Sequence, residues 1–249
     1  MCQIAMHNMP LSEKQESQGK INMKKISVYL LFMIPLIITV PFQMLSAEII
    51  PITPEELLPA AKIIMSERFG SNPQYYIESM PCFQPGDSLG DFRLGEPFPF
   101  YKLNQKAVYN LKDNNDFGNA LTFRAWQMPL YLGDEDEPRT LVIMKKTDDE
   151  KWRYAAMGGD PKDIHKARQL WPAEEGYRHA TIVFSSTNIH LIMLEKDNKL
   201  QFCYYGDGGD RAFDLSRNED GSWPVFTKDY LIRIVRSGKI NIGKKTGPD

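Results

Sequence analysis

The sequence predicts an α+β domain: an antiparallel sheet built from two three-strand meanders flanking a central helix, with additional helices near each end. Three observations carry this. "LTFRAWQMPLYL", "RTLVIMKK" and "KWRYAAMGG" alternate in polarity and are separated by the polar turns "GDEDEP" and "TDDE". "HATIVFSSTNIHLIMLEKDNKLQFCYYG" repeats that pattern further on. Between them, "GDPKDIHKARQLWP" has helical start and stop signals with an apolar stripe.

Taken in chain order, the first element is a leader. Lys24 and Lys25 precede an apolar run from Ile26 to Phe42, and Leu45-Ser46-Ala47 ends in small residues before Glu48, the three-part layout of a secretory signal peptide. Pro35 and Pro41 interrupt the run, which is short for the roughly 20 residues of a membrane span. Export with cleavage is therefore expected, into the periplasm, to the cell surface or outside a bacterial cell; anchoring to the membrane by residues 26–42 is the alternative. Residues 1–22 are polar and aperiodic. Gln18-Gly19 requires the codons CAR-GGN, so a purine-rich AAGG or AGGG lies three codons upstream of Met23. That composition and spacing suit a ribosome-binding site, so residues 1–22 read as a mis-assigned start or a disordered extension. Residues 23–47 read as the signal peptide and residues 48–249 as a single secreted domain.

In that domain, "TPEELLPAAKIIMSERFG" reads as a helix with Thr53 as cap, Pro54 in the first turn and Gly70 as stop. Pro59 either kinks this helix or marks its start. Ser71 to Pro99 is rich in Pro and Gly and reads as a long loop, whose aromatics cover something apolar. In the central helix, Asp160 caps, Pro161 starts, Pro172 stops, and Ile164, Ala167 and Trp171 share a face. In the second strand set, Thr187-Asn188 and Asp197-Asn198 are plausible two-residue turns. Phe184 then faces Leu191, Ile182 faces Met193, and Met193 faces Phe202. One face, with Ile182, Phe184, Leu191, Met193, Leu200, Phe202 and Tyr204, is apolar and expected to pack on a helix. The other is mixed, either half-covered or turned to a ligand. "TKDYLIRIVRSGK" closes the chain as a helix capped by Thr227 and stopped at Gly238, with a strand over Tyr230–Val235 as the alternative.

Composition narrows the function. Of 30 basic and 32 acidic residues, the leader holds four lysines and two glutamates, leaving 26 and 30 in the domain. A slightly acidic chain without basic clusters argues against nucleic acid as a partner, and no polybasic patch offers itself to anionic lipid. A membrane enters only if the leader is retained. No phosphate-binding loop is present, and no cofactor is implied.

Four features bear on chemistry. Ser185, His190 and Tyr205 form a cross-strand row on the mixed face in the register above, able to hydrogen-bond a small ligand or to begin a nucleophile–base pair. No strained nucleophile turn surrounds Ser185, so three ordinary polar groups on a sheet face are the plainer account. Cys82 and Cys203, the two cysteines left after cleavage, can form one disulfide that pins the Ser71–Pro99 loop over the mixed face. His165, His179 and His190 lack metal-ligand spacing, and "GDGGDRAFD" lacks the EF-hand order, so no metal site is expected. These observations favour a non-enzymatic binding or interaction module of the bacterial envelope, acting on an envelope or extracellular ligand or protein. A small secreted hydrolase using the polar face around His190 is the alternative, and a structural or assembly component of the envelope the third reading.

Overall fold

Prolines and turn residues decide where the sheet's strands begin, break and end. The computed structural model describes residues 49–184, 189–205, 218, 224–238 and 240, all within one compact unit. The protein is a mixed α/β fold with a nine-stranded, mostly antiparallel sheet.

In chain order the strands are β1 (Phe92–Leu94), β2 (Phe98–Leu103), β3 (Leu121–Leu132), β4 (Thr140–Lys146), β5 (Trp152–Gly158), β6 (Arg178–Phe184), β7 (His190–Lys196), β8 (Lys199–Tyr205) and β9 (Phe226–Thr227). They lie side by side as β5-β4-β3-β2-β6-β7-β8-β9, and β1 pairs with the far end of β3. The one parallel pairing joins β2 to β6. The sheet is thus larger than the six strands expected: β2, whose first residues belong to the expected loop Ser71–Pro99, lies between the two strand sets.

The break between β1 and β2 follows from Pro129. Both strands pair with β3, β1 at Leu130–Leu132 and β2 at Leu121–Gln127. At Pro129 the N–H that would face this seam is missing, and its carbonyl accepts from Gly95 N (2.8 Å). Gly95 suits this close approach, because a Cβ would sit 3.0 Å from Tyr131 Cε2 and 3.4 Å from Pro129 Cβ and those side chains would have to give. The segment Glu96-Pro97 is left free of the ladder.

Helices cover both sheet faces. α1 (Leu57–Ser71) buries Leu57, Ala61, Met65 and Phe69 against Trp126, Met128, Leu130, Val142 and Met144. Thr53 does not cap it. The helix begins at Leu57, which puts Pro59 in the first turn, where no backbone donor is needed. Gly70 does not stop it either: Asn72 accepts from Tyr75 N (3.3 Å) and starts α2 (Pro73–Ser79) at once. The expected long loop is therefore partly a helix, and its aromatics do cover an apolar layer, with Phe69 edge-on to Tyr76, Phe83 and Phe92.

On the same sheet face, over β6–β8, lie α3 (Gln105–Tyr109), the 3-10 turn Asn114–Ala120 and α5 (Lys228–Arg236), whose Leu231, Ile232 and Val235 are buried. Phe117 packs edge-on to Phe202 at 5.7 Å. Thr227 caps α5 by accepting from Tyr230 N (3.3 Å), and Gly238 follows it with φ +67°, so the helix replaces the alternative strand. The opposite face belongs to α4 (Lys162–Leu170), which carries the chain from edge strand β5 back to β6. Asp160 accepts from Lys162 N (3.0 Å), and Ile164 and Ala167 are buried. Among the described residues no helix is long and apolar enough to cross a membrane.

Two register statements complete the frame. Asp197 and Asn198 both have positive φ (50° and 59°), the mirror-image turn that a two-residue hairpin needs, and Met193 pairs with Phe202 as expected. The β6–β7 hairpin differs: Ile182 pairs with Leu191 and Val183 with His190, two residues from the expected register. Phe184 N donates to Ile189 O (3.1 Å), so four residues, not two, lie between the last hydrogen-bonded pair. An even shift leaves every side chain on its expected face. The Thr187-Asn188 turn lies outside the described residues.

Candidate functional site

Of the row expected from Ser185, His190 and Tyr205, the described residues include the latter two. His190 pairs with Tyr205 across β7–β8, but its partner on β6 is Val183, and Ser185 lies outside the described residues. His190 is half-buried, and burial holds its imidazole below the ordinary range. The mixed face is mostly closed: Thr181, Ile192, Leu194 and Cys203 are buried under α4. Thr181 Oγ1 donates to Gln127 Oε1 at 2.5 Å, satisfying two buried polar groups.

The expected disulfide is also corrected. Cys82 and Cys203 are both free. Cys82 packs with the α1 cluster, whereas Cys203 is on β8 beneath α4. Burial, with the Asp163 carboxylate nearby, pushes the Cys203 thiol up to about 12, and burial raises Cys82 as well, so neither has thiolate character. Among the described residues, no three His, Cys, Asp or Glu side chains converge as metal ligands. The "GDGGDRAFD" loop lies outside the described residues. At the GDEDEP turn, a shallow hollow of about 560 Å³ contains Cys82, Asp136 and Lys162, and its Arg139 is forked by Glu135 (2.6 and 2.5 Å).

A better-defined cavity of about 450 Å³ opens where parallel strands β2 and β6 begin. Three segments wall it. The first is Glu96-Pro97-Phe98-Pro99, presented by the seam that Pro129 and Gly95 create. The second runs from the last turn of α4, at Arg168, to the 3-10 turn Ala173–Glu175 and on to His179; Gly176 at φ +87° lets the chain reverse into β6. The third is the strap Ile50–Thr53.

A buried polar network holds the strap. Glu195, only 3 % exposed, accepts from Ile49 N (3.3 Å) and Ile50 N (2.9 Å) and pairs with Arg178 Nη2 (3.0 Å). Arg178 Nη1 donates to Ile50 O (2.8 Å), and Tyr101 OH donates to Ile49 O (2.9 Å). Burial and the Glu195 charge push the Tyr101 phenol up to about 12, keeping it a donor. Carboxylate, guanidinium and strap backbone satisfy one another, as a charge in a low-dielectric site requires.

The cavity's polar groups differ in how firmly they are tied. Arg168 donates through Nη1 to Glu96 O (2.9 Å) and through Nη2 to Glu96 Oε2 (2.5 Å), with its guanidinium 5.7 Å from the Phe98 ring centroid. His179 is 5 % exposed, and its Nε2 has no hydrogen-bond partner. Burial, reinforced by the Arg168 charge and opposed by a hydrogen bond to the Trp171 backbone, lowers its imidazole to about 4. At neutral pH the positive charge here therefore comes from the arginines. Pro51, Pro97, Phe98, Pro99 and Tyr177 supply rigid apolar walls. The volume falls in the range of small-molecule cavities, and the lining is divided between these apolar walls and the polar Thr53, Glu96, Arg168, Arg178 and His179.

None of Glu96, Arg168, Arg178 or Glu195 was singled out from sequence, and His179 was weighed only as a metal ligand. The available signals were local oddities: a glutamate inside the apolar strand "HLIMLEK", and prolines alternating with phenylalanines in "EPFPF". Comparison with known proteins returns no matching family model, no matching curated protein and no matching solved structure.

Proposed function

We propose that the chain is a non-enzymatic binding module of the bacterial envelope that takes a small ligand in the cavity at the start of β2 and β6. The observation that carries this reading is the cavity itself: about 450 Å³, walled by prolines and aromatics, with the guanidinium groups of Arg168 and Arg178 beside Thr53, Glu96 and His179 on its lining. Among the described residues no activated nucleophile lines it: both thiols are raised by burial and lie outside its lining, and His179 has no carboxylate partner of its own among the hydrogen bonds described. The hydrolase alternative centres instead on His190, which lies on β7 away from the linings of the two cavities described above. Export is proposed from the leader, whose Lys24-Lys25, apolar run and Leu45-Ser46-Ala47 precede the strap by a few residues.

The test is a thermal-shift screen of small amphipathic molecules against the wild type and Ala173→Trp. Ala173 is exposed on the cavity rim, so an indole there obstructs the mouth without entering the core. Ligands that raise the wild-type Tm should lose their effect in Ala173→Trp. Equal shifts in both proteins would place binding elsewhere.

A further inference from the structure

Two arginines line the same cavity, and their partners differ sharply. Arg178 is bolted: its partner Glu195 is 4 % exposed at the side chain and also holds the strap backbone, so it cannot leave without dismantling that wall. Arg168 is not. Its side chain is 18 % exposed while that of its partner Glu96 is 62 % exposed, so the Glu96 carboxylate can return to water at little cost. The second bond of Arg168 goes to the Glu96 backbone carbonyl, which stays when the carboxylate leaves. The guanidinium is therefore held in place independently of the group that occupies it. Beside it, His179 is uncharged at neutral pH and nine-tenths buried, with one ring nitrogen unpartnered. A planar guanidinium fork positioned in advance at an apolar wall is the arrangement that recognises a carboxylate.

We infer that Glu96 is an internal stand-in for a ligand carboxylate, and that the cavity takes monocarboxylates with a medium-length alkyl body, the carboxylate replacing Glu96 on Arg168 while the body lies against Phe98, Pro97 and Tyr177. The inference rests on the binding reading above and names its ligand class. The exchange swaps one carboxylate for another on the same guanidinium, so the net cost lies in releasing an exposed side chain, and affinity comes from apolar burial.

The test measures heptanoate, 1-heptanol and heptylamine by calorimetry against the purified wild type, Glu96→Gln and Arg168→Lys. Heptanoate should bind the wild type in preference to the other two. Glu96→Gln should bind heptanoate about fivefold more tightly, the scale of losing a competing surface ion pair, with 1-heptanol unchanged. Arg168→Lys, which keeps the charge but not the fork, should weaken heptanoate selectively. If heptanoate and 1-heptanol bind alike and Glu96→Gln alters neither, the carboxylate inference falls while the cavity stands as a site. Preference for heptylamine overturns the ligand class. Binding by none of the three, in any variant, overturns the inference together with the reading beneath it.

Discussion

His179 shows how much one buried side chain sets the behaviour of the site. Its imidazole titrates near 4 in the fold against an ordinary 6.5. Between those values the unfolded chain binds a proton that the folded chain does not, so stability falls as pH drops from 6.5 towards 4. The slope should approach about 1.4 kcal/mol per pH unit and total roughly 3 kcal/mol. His190, also held low by burial, adds with the same sign. Urea melts across this range should show the slope in the wild type and a clearly smaller one in His179→Gln; an unchanged slope would mean that His179 is charged or solvated. Gly95 makes a second claim at this scale. Gly95→Ala should cost about 1–2 kcal/mol, because the new methyl displaces a Tyr131 ring that also meets His165 and Arg93. No change in the denaturation midpoint would show that the seam has slack.

Elements carry the next set of consequences, and the strap is the clearest. Four hydrogen bonds tie two backbone units, Ile49 and Ile50, to Glu195, Arg178 and Tyr101 on three strands, and an ion pair joins Arg178 to Glu195. Glu195→Gln leaves the Arg178 guanidinium without its anion and should cost about 3 kcal/mol. Because the strap is a cavity wall, it should also weaken ligand binding, and hydrogen exchange at Ile49 and Ile50 should speed up more than exchange in β7. Uniform acceleration throughout the sheet would show that Glu195 stabilises the fold without specially holding the strap. The β7–β8 turn tests the backbone reading: Asn198→Gly places the most permissive residue at φ +59° and should stabilise by about 0.5–1 kcal/mol, or leave stability unchanged if Asn is already relaxed there.

At the scale of the whole molecule, local signals and long-range assembly were unequally legible. The strands β3–β8 and helices α4 and α5 could be read because alternation, caps and turn residues act within a few positions, as Asp160, Thr227 and Asp197-Asn198 show. The α2 helix was legible in principle, through Asn72 as cap and Pro73 in the first turn, but the Pro and Gly residues around it masked the signal. The role of β2 was not: its parallel pairing with β6 joins residues some 80 positions apart, and nothing local announces such a partner. The cavity shares that opacity, since Ile50, Glu96, Arg168 and His179 meet only once β2 and β6 are paired. The free cysteines follow the same logic, because two thiols behind a signal-like leader suggest a bond while the packing separates them. Alkylation without reductant should modify Cys82 slowly in the native protein, Cys203 only on unfolding, and both after denaturation; an unmodified pair after denaturation would restore the disulfide.

Binding of a small ligand in the cavity at the start of β2 and β6, as proposed, is checked most directly by a 15N-edited NMR titration with a panel of small amphipathic molecules, following the backbone amides. Perturbed amides should cluster at Phe98, Arg168, Tyr177 and His179, and saturating ligand should slow exchange in the strap. Perturbations confined to the hollow around Cys82 and Arg139, or no saturable change anywhere, would contradict the proposal.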